Sequence, residues 1–328
     1  MGAQMQRGAY SRVPGLRRRN AQLHWAMRWQ DPPPKRFSMA DRTKRLSTNV
    51  DGNFFVDSTC INCDTCRQLA PASFAENGEF SSVSRQPEGE RERYRAYQAL
   101  LACPVGSIGA IEPNKATMRA ATESFPIRIA SDVYYNGFNS EKSYGANSYF
   151  VRHPGGNWLI DSPRYMKRLE DFFERMGGVQ YIFLTHEDDI GDAPRYAKRF
   201  GAKRIIHRAD ADAQPDAEWI VDGLEPMTAV PGFTIIPVPG HTDGSMALHV
   251  AGRYLFTGDH MSWDREINGL RLAMVYVWDE EALRRSAAKL MEVPFERVLP
   301  GHGDRMHLSA DRMKEELSLL LKRRAVNR

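Results

Sequence analysis

Beyond Pro113 the chain alternates short apolar runs with amphipathic stretches, the pattern of strands exchanged with helices. NWLIDSP reads as a short strand ending in Asp161, and RYMKRLEDFFERMGG predicts a helix with Met166, Leu169, Phe173 and Met176 on one face, stopped by Gly177 and Gly178. A strand YIFLT, a helix around APRYAKRFG, strands KRIIH and TIIPVPG, a hairpin in MALHVAGRYLFTGD, a helix DEEALRRSAAKLME and a closing strand RVLPGHG follow. Polar residues end strand after strand: His186 after FLT, His241 after PVPG, Asp259 after LFTG and His302 after VLPG. Side chains at strand ends converge on one edge of a sheet, and Gly240, Gly258 and Gly301 before three of them suit tight turns that aim the side chains.

Composition bounds what such an edge can serve. The 328 residues are 42% hydrophobic and 26% charged, an ordinary globular balance with room for two domains. No apolar run approaches the ~18 residues of a membrane span, so no membrane partner is expected. The net charge of +4 is uneven: residues 1–46 hold eleven Lys and Arg against Asp31 and Asp41, a net of +9, which leaves −5 for the rest. The basicity therefore sits in a tail, and a nucleic-acid partner is not expected. That tail has no secretory apolar core. Two readings stay open, a flexible or targeting arm and a start set too early, with Met39 opening a plausible compact beginning. Pro32, Pro33 and Pro34 are expected to close a segment without packed structure. The expected compartment is the cytoplasm, or a plastid or other organelle if the tail is a transit peptide.

The stretch THEDDIGD puts His186, Glu187, Asp188, Asp189 and Asp192 at one strand tip. Such a density of carboxylates is costly unless a cation offsets it, so the stretch reads as half of a metal site. The plainer alternative is an acidic cluster at a helix N-terminus, worth ~0.3–1 kcal/mol per residue. His207, His249, His260 and His307 are read as ordinary histidines, with His260 placed to support Asp259.

The cysteines are the most specific feature. Cys60, Cys63 and Cys66 stand as CxxCxxC, and the fourth, Cys103, precedes Pro104 after 36 intervening residues. A loop stepping three residues at a time can wrap three thiolates around one face of a cubane while a distant fourth closes it, so one [4Fe–4S] cluster is the natural count. Zinc competes, but its sites normally pair CxxC with a second CxxC or with histidines; disulfides between neighbours on one loop would be strained. The segment from Val50 to Pro113 resembles the single-cluster bacterial-type ferredoxin domain. EGERERYRAYQALLACP fits a helix with Tyr94, Tyr97, Leu100 and Leu101 at helical spacing, delivering Cys103. The resemblance implies one-electron transfer.

Residues 125–325 resemble the metallo-β-lactamase fold, an αββα sandwich of two mixed sheets flanked by helices. Five pieces in the family's order carry the likeness: Asp161 in LIDS, His186 opening the second motif, His241 in PGHTDGS, Asp259 in FTGDH and His302 in LPGHGD. The resemblance implies that Asp161 braces the metal loops, that Asp259 bridges, and that the remaining positions hold one or two divalent ions. The joined architecture resembles ferredoxin-fused metallo-β-lactamase-fold proteins: a basic tail over 1–46, an α+β ferredoxin-like domain over 47–115 and the sandwich over 120–328.

The second motif departs from the family's HxHxDH. Asp188 takes the second histidine's place, Ile190 and Gly191 occupy the Asp–His positions, and Ala193 follows Asp192. The second metal must then lean on Asp189 or Asp192 with Asp259 and His302. More carboxylate and less imidazole shifts preference towards harder ions, so iron or manganese joins zinc as a candidate. The expected activity is metal-dependent hydrolysis of a small-molecule ester, thioester or similar centre, with Asp188 or Asp189 orienting water or acting as base. The alternatives are an electron-transfer protein coupling the cluster to the metal site, served by a redox partner protein, and a non-catalytic binding module.

Overall fold

Alternation along the strands decides which layer each side chain enters. In Phe233–Pro237, Ile235 joins one core and Ile236 another; the same division separates Leu248 from Ala247, Phe256 from Leu255 and Leu299 from Val298. These strands belong to a six-stranded sheet in a computed structural model, in which residues 40–273 and 275–323 are described. Its order is Met227–Val230, Phe233–Pro237, Met246–Val250, Tyr254–Gly258, Arg297–Pro300 and Met306–His307, antiparallel except where Tyr254–Gly258 runs beside Arg297–Pro300.

The facing sheet holds seven strands in the order Trp219–Val221, Lys203–His207, Tyr181–Phe183, Trp158–Ile160, Tyr149–Val151, Val133–Tyr135 and Ile127–Arg128. Its first four pair in parallel and the rest antiparallel. Between the sheets Trp158 stacks on Phe233 with ring centroids 4.6 Å apart, and Tyr149 meets Phe256 edge-on at 5.3 Å. Outside, Phe150 stacks at 4.9 Å on Phe173 of the helix Lys167–Arg175. Leu283 and Ala287 of Glu280–Lys289, with Met313, Leu317 and Leu320 of Ala310–Lys322, cover Leu255 and Val298 on the other flank. Each buried Leu, Val, Phe or Met among them contributes about 1.5–3 kcal/mol of apolar transfer. This is the expected αββα arrangement of mixed sheets. The helix expected from Arg164 starts only at Lys167, because Met166 is extended and the Tyr165 N–H is held by Asp192.

Towards the N-terminus, Phe54–Val56 pairs antiparallel with Ile108–Ala110, and Phe74–Asn77 forms a hairpin with Phe80–Val83. Helices Thr65–Leu69 and Gly89–Ala102 pack among them, and Cys103 follows the longer helix directly. Tyr97 and Leu100 are buried as expected, while Tyr94 and Leu101 are partly exposed. The expected tail lies largely outside the described residues, Pro32 to Pro34 included. Its last residues, 40–46, attach to the folded body: Asp57 accepts from the Asp41 N–H at 2.7 Å, and Leu46 N–H donates to the Val56 carbonyl at 3.0 Å. Among the described residues no helix is long and apolar enough to cross a membrane.

Candidate metal centre

Four strand ends meet at one edge. His186 lies just past Tyr181–Phe183 of one sheet, and His241, Asp259 and His302 past three strands of the other. The Oδ2 of Asp259 is 3.8 Å from the Nε2 of both His186 and His241. Asp188 comes in from the solvent side, its Oδ2 3.8 Å from His186 Nε2 and 3.5 Å from His241 Nε2. Two triads result, His186–His241–Asp259 and Asp189–Asp259–His302, each with ligand atoms within 4.8 Å of one another, and Asp259 belongs to both.

The loops behind these side chains are tied to buried carboxylates. Asp161 accepts from the Thr185 N–H at 2.8 Å and from the Thr185 hydroxyl at 3.0 Å, and Thr185 Oγ1 lies 3.0 Å from His186 Nδ1. With its hydroxyl proton directed at Asp161, Thr185 accepts from His186 Nδ1–H, which leaves the Nε2 lone pair facing the triad. Asp161 itself is buried at φ 51°, and burial pushes its carboxyl up to about 8. Asp210, which the sequence reading did not single out, ties two loops together: it accepts from the Glu187 N–H at 3.0 Å, the Thr242 hydroxyl at 2.7 Å and the Gly244 N–H at 3.0 Å. The signal that could have found it was its position just after the strand KRIIH, the rule that marked the other four.

The donor set fits a cation. His186 Nε2 and both oxygens of Asp189 are buried and without hydrogen-bond partners, which is costly unless something electropositive sits between them. Burial, with Asp259 and Asp161 nearby, raises the Asp189 carboxyl well above its usual range. Gly301 closes the floor: a Cβ there would stand 2.6 Å from Asp189 Oδ2 and 2.7 Å from Asp259 Oδ1. His302 Nδ1 is 2.8 Å from both oxygens of Asp259, and its Nε2 is 3.3 Å from the Tyr144 carbonyl. Burial opposes a charge on His302, but the Asp259 carboxylate more than offsets it and holds the imidazole pKa at about 9. Asp188 is the one half-exposed member; burial opposes its charge too, yet His241 and His186 hold its carboxyl below the usual range.

Asp192 is not brought into this group. Its carboxylate accepts from Lys142 Nζ at 2.7 Å and from the Tyr165 N–H at 2.7 Å. The tight turn Glu187–Asp189 instead points Asp189 inward. Among the histidines set aside, His207 lies 3.0 Å from the Gly223 carbonyl and His249 2.8 Å from that of Pro294. His260 is buried with neither ring nitrogen hydrogen-bonded, and burial lowers its pKa to about 3, so it stays neutral.

Cys60, Cys63, Cys66 and Cys103 line a single cavity with Val56, Val105 and Ile108, and none is in a disulfide. Asn62 and Asp64 adopt left-handed backbone at φ 54° and 67°, the two reversals that turn successive cysteines inward. Burial pushes the Cys63 thiol up to about 12 and raises that of Cys66 as well. Thiolates there need a strong positive charge among them. The cradle fits a bound metal or cluster.

Residues 129–321 match the family model described as the metallo-beta-lactamase superfamily. The chain belongs to that superfamily. Residues 56–110 match the model of the 4Fe-4S single cluster domain of Ferredoxin I. Among curated relatives, a hydroxyacylglutathione hydrolase of Stenotrophomonas maltophilia is 33% identical over 85 residues, 25% of this chain and 33% of that protein. One of Fuscovulum blasticum is 32% identical over 113 residues, 33% of this chain and 44% of that protein. The chain thus spans less than half the length of the curated relatives it matches. Among solved structures, TTHA1623 in a di-iron-bound form is 25% identical with a TM-score of 0.41, covering 52% of this chain and 93% of that one.

Proposed function

We propose that the chain is a metal-dependent hydrolase of a small-molecule thioester or ester, whose N-terminal part binds one [4Fe–4S] cluster on Cys60, Cys63, Cys66 and Cys103. The observation that carries the hydrolytic reading is the pair of triads sharing Asp259, with the buried His186 Nε2 and Asp189 oxygens left without protein partners. His186, Asp188, His241 and Asp259 would hold one divalent ion, and Asp189, Asp259 and His302 a second. Zinc and iron suit this mixture of imidazole and carboxylate, and manganese is a further candidate. When bound, the metal supplies Lewis acidity for a carbonyl under attack and lowers the pKa of water towards ~7. The protein's part is placement. Asp188 is open to solvent and ionised, which suits it to orient a water molecule; a carboxylate held below its usual range is a weak proton acceptor, so a general-base role is secondary. Thr185 and Asp161 fix the His186 tautomer, and Asp210 sets the spacing of the two histidine loops.

The partial likeness to hydroxyacylglutathione hydrolases makes a hydroxyacyl-glutathione thioester the first substrate to assay. The chain loaded in turn with zinc, iron or manganese should hydrolyse it, and His241→Ala and Asp259→Ala should reduce the rate to background. Equal turnover by the wild type and both variants would refute the reading.

A further inference from the structure

We infer that Tyr144 and Gly145 are positioning residues that link the cysteine cradle to the His302 half of the metal centre. This rests on the metal-centre reading above and extends it. The segment from Asn139 to Asn147 has no regular structure beyond the single turn Glu141–Ser143, yet it touches both sites. At one end, Gly145 lies against Cys63: a Cβ on Gly145 would fall 2.7 Å from Cys63 Cβ and 2.8 Å from its Sγ, and the residue sits at φ +87°. Its carbonyl accepts from the Thr65 hydroxyl at 3.2 Å and from Asn139 Nδ2 at 2.7 Å, while Asn139 Nδ2 also donates to Thr65 Oγ1 at 3.1 Å. Thr65 in turn lies 3.4 Å from Cys63 Sγ.

One residue earlier, the chain reaches the other site. The Tyr144 carbonyl, at φ 51°, receives His302 Nε2–H at 3.3 Å, so that His302 Nδ1 is the nitrogen turned towards Asp259 and Asp189. A carbonyl partner behind a ligating imidazole fixes its tautomer and ring orientation. A second strand of contact runs in parallel: Asn147 N–H donates to the Gly301 carbonyl at 2.7 Å, and Asn147 Nδ2 to Gln68 Oε1 at 3.1 Å on the helix that carries Cys66. Two adjacent residues in left-handed conformation, each held by a different site, leave little slack. A change in the packing around Cys63 must therefore move the Tyr144 carbonyl and, through it, His302.

The test uses the full chain with cobalt(II) in the metal centre and reads cobalt ligand-field absorption and affinity, together with iron and acid-labile sulfide content. Gly145→Ala should shift the cobalt bands and weaken the second ion by about tenfold, the range typical for loss of a ligand's hydrogen-bonded support. Should that variant fold poorly, Thr65→Val, which removes the hydroxyl donor to the Gly145 carbonyl while leaving the four cysteines in place, should shift the bands in the same way. Bands and affinities of both variants that superimpose on those of the wild type, with iron and sulfide content unchanged, would overturn the inference. Cobalt bands in the wild type establish the metal centre itself, and thioester turnover tests the hydrolytic reading separately, so each can fail alone.

Discussion

His302 and Asp259 face each other at 2.8 Å, both carboxylate oxygens equidistant from the imidazole Nδ1. Without metal this is a partly buried ion pair, and an ion entering the second triad must displace the imidazole's proton and, since burial raises Asp189, a carboxyl proton as well.

Uptake of the second ion should therefore strengthen as pH rises from about 6.5 to 9, by up to tenfold per pH unit for each proton released. Calorimetric zinc titrations in buffers of different ionisation enthalpy count those protons; an affinity flat across this window would contradict the pairing.

Stability of the metal-free chain should move the opposite way. His302 is held at about 9 and Asp161 at about 8, both above their unfolded values. The ion pair's contribution is complete below the ordinary histidine pKa and is lost through 9, while burial of Asp161 becomes increasingly costly from its ordinary pKa up to 8. The melting temperature without metal should fall from pH 6.5 to 9.5, and saturating metal should flatten the profile.

Glu170 predicts the reverse sign at acid pH. Its carboxylate is bonded by the Tyr165 hydroxyl, Arg199 at 2.7 Å and Lys167 at 3.1 Å, which draw its pKa down to about 2. The stability this adds is present above the ordinary glutamate pKa and lost as pH falls through 2. Glu170→Gln should melt lower than wild type at pH 7, and the two curves should converge near pH 2.

Thr185→Val keeps the shape of the side chain and removes the hydroxyl between Asp161 and His186. Leaving a buried carboxyl short of a partner costs about 1–3 kcal/mol. Denaturant unfolding should show that loss, and metal analysis a deficit on the His186 side with the cysteine-bound iron unchanged.

The cysteine cradle should yield a brown protein under anaerobic purification, with about four iron atoms and matching acid-labile sulfide beyond the metal centre. Cys103→Ser should lose them. Zinc at the cysteines without sulfide would replace the cluster by a zinc site.

Much of the centre was legible because period-two alternation and strand-end punctuation are local signals. His186, His241, Asp259 and His302 announce themselves that way, and CxxCxxC with a distant Cys-Pro does so by spacing. Choosing between Asp189 and Asp192 was not local: it depends on the turn Glu187–Asp189 and on Lys142, fifty residues away, engaging Asp192. The hairpins Phe74–Val83 and Met261–Leu272 and the helix Ala310–Lys322 were not singled out, although Ser309 before Met313, Leu317 and Leu320 carried a readable cap and face. The segment Asn139–Asn147 has no periodicity at all, and its place is set by partners on both sides of it.

One buried core runs without interruption from Phe54, Tyr97 and Cys103 through Phe125 and Tyr149 to Phe233 and Phe256. The cysteine-bearing part and the sandwich therefore share an interior, and they should melt together in one cooperative transition. Excising residues 129–321 would strip the sandwich of neighbours such as Ala102 and Thr65, so that fragment should be cleaved by protease far faster than the intact chain.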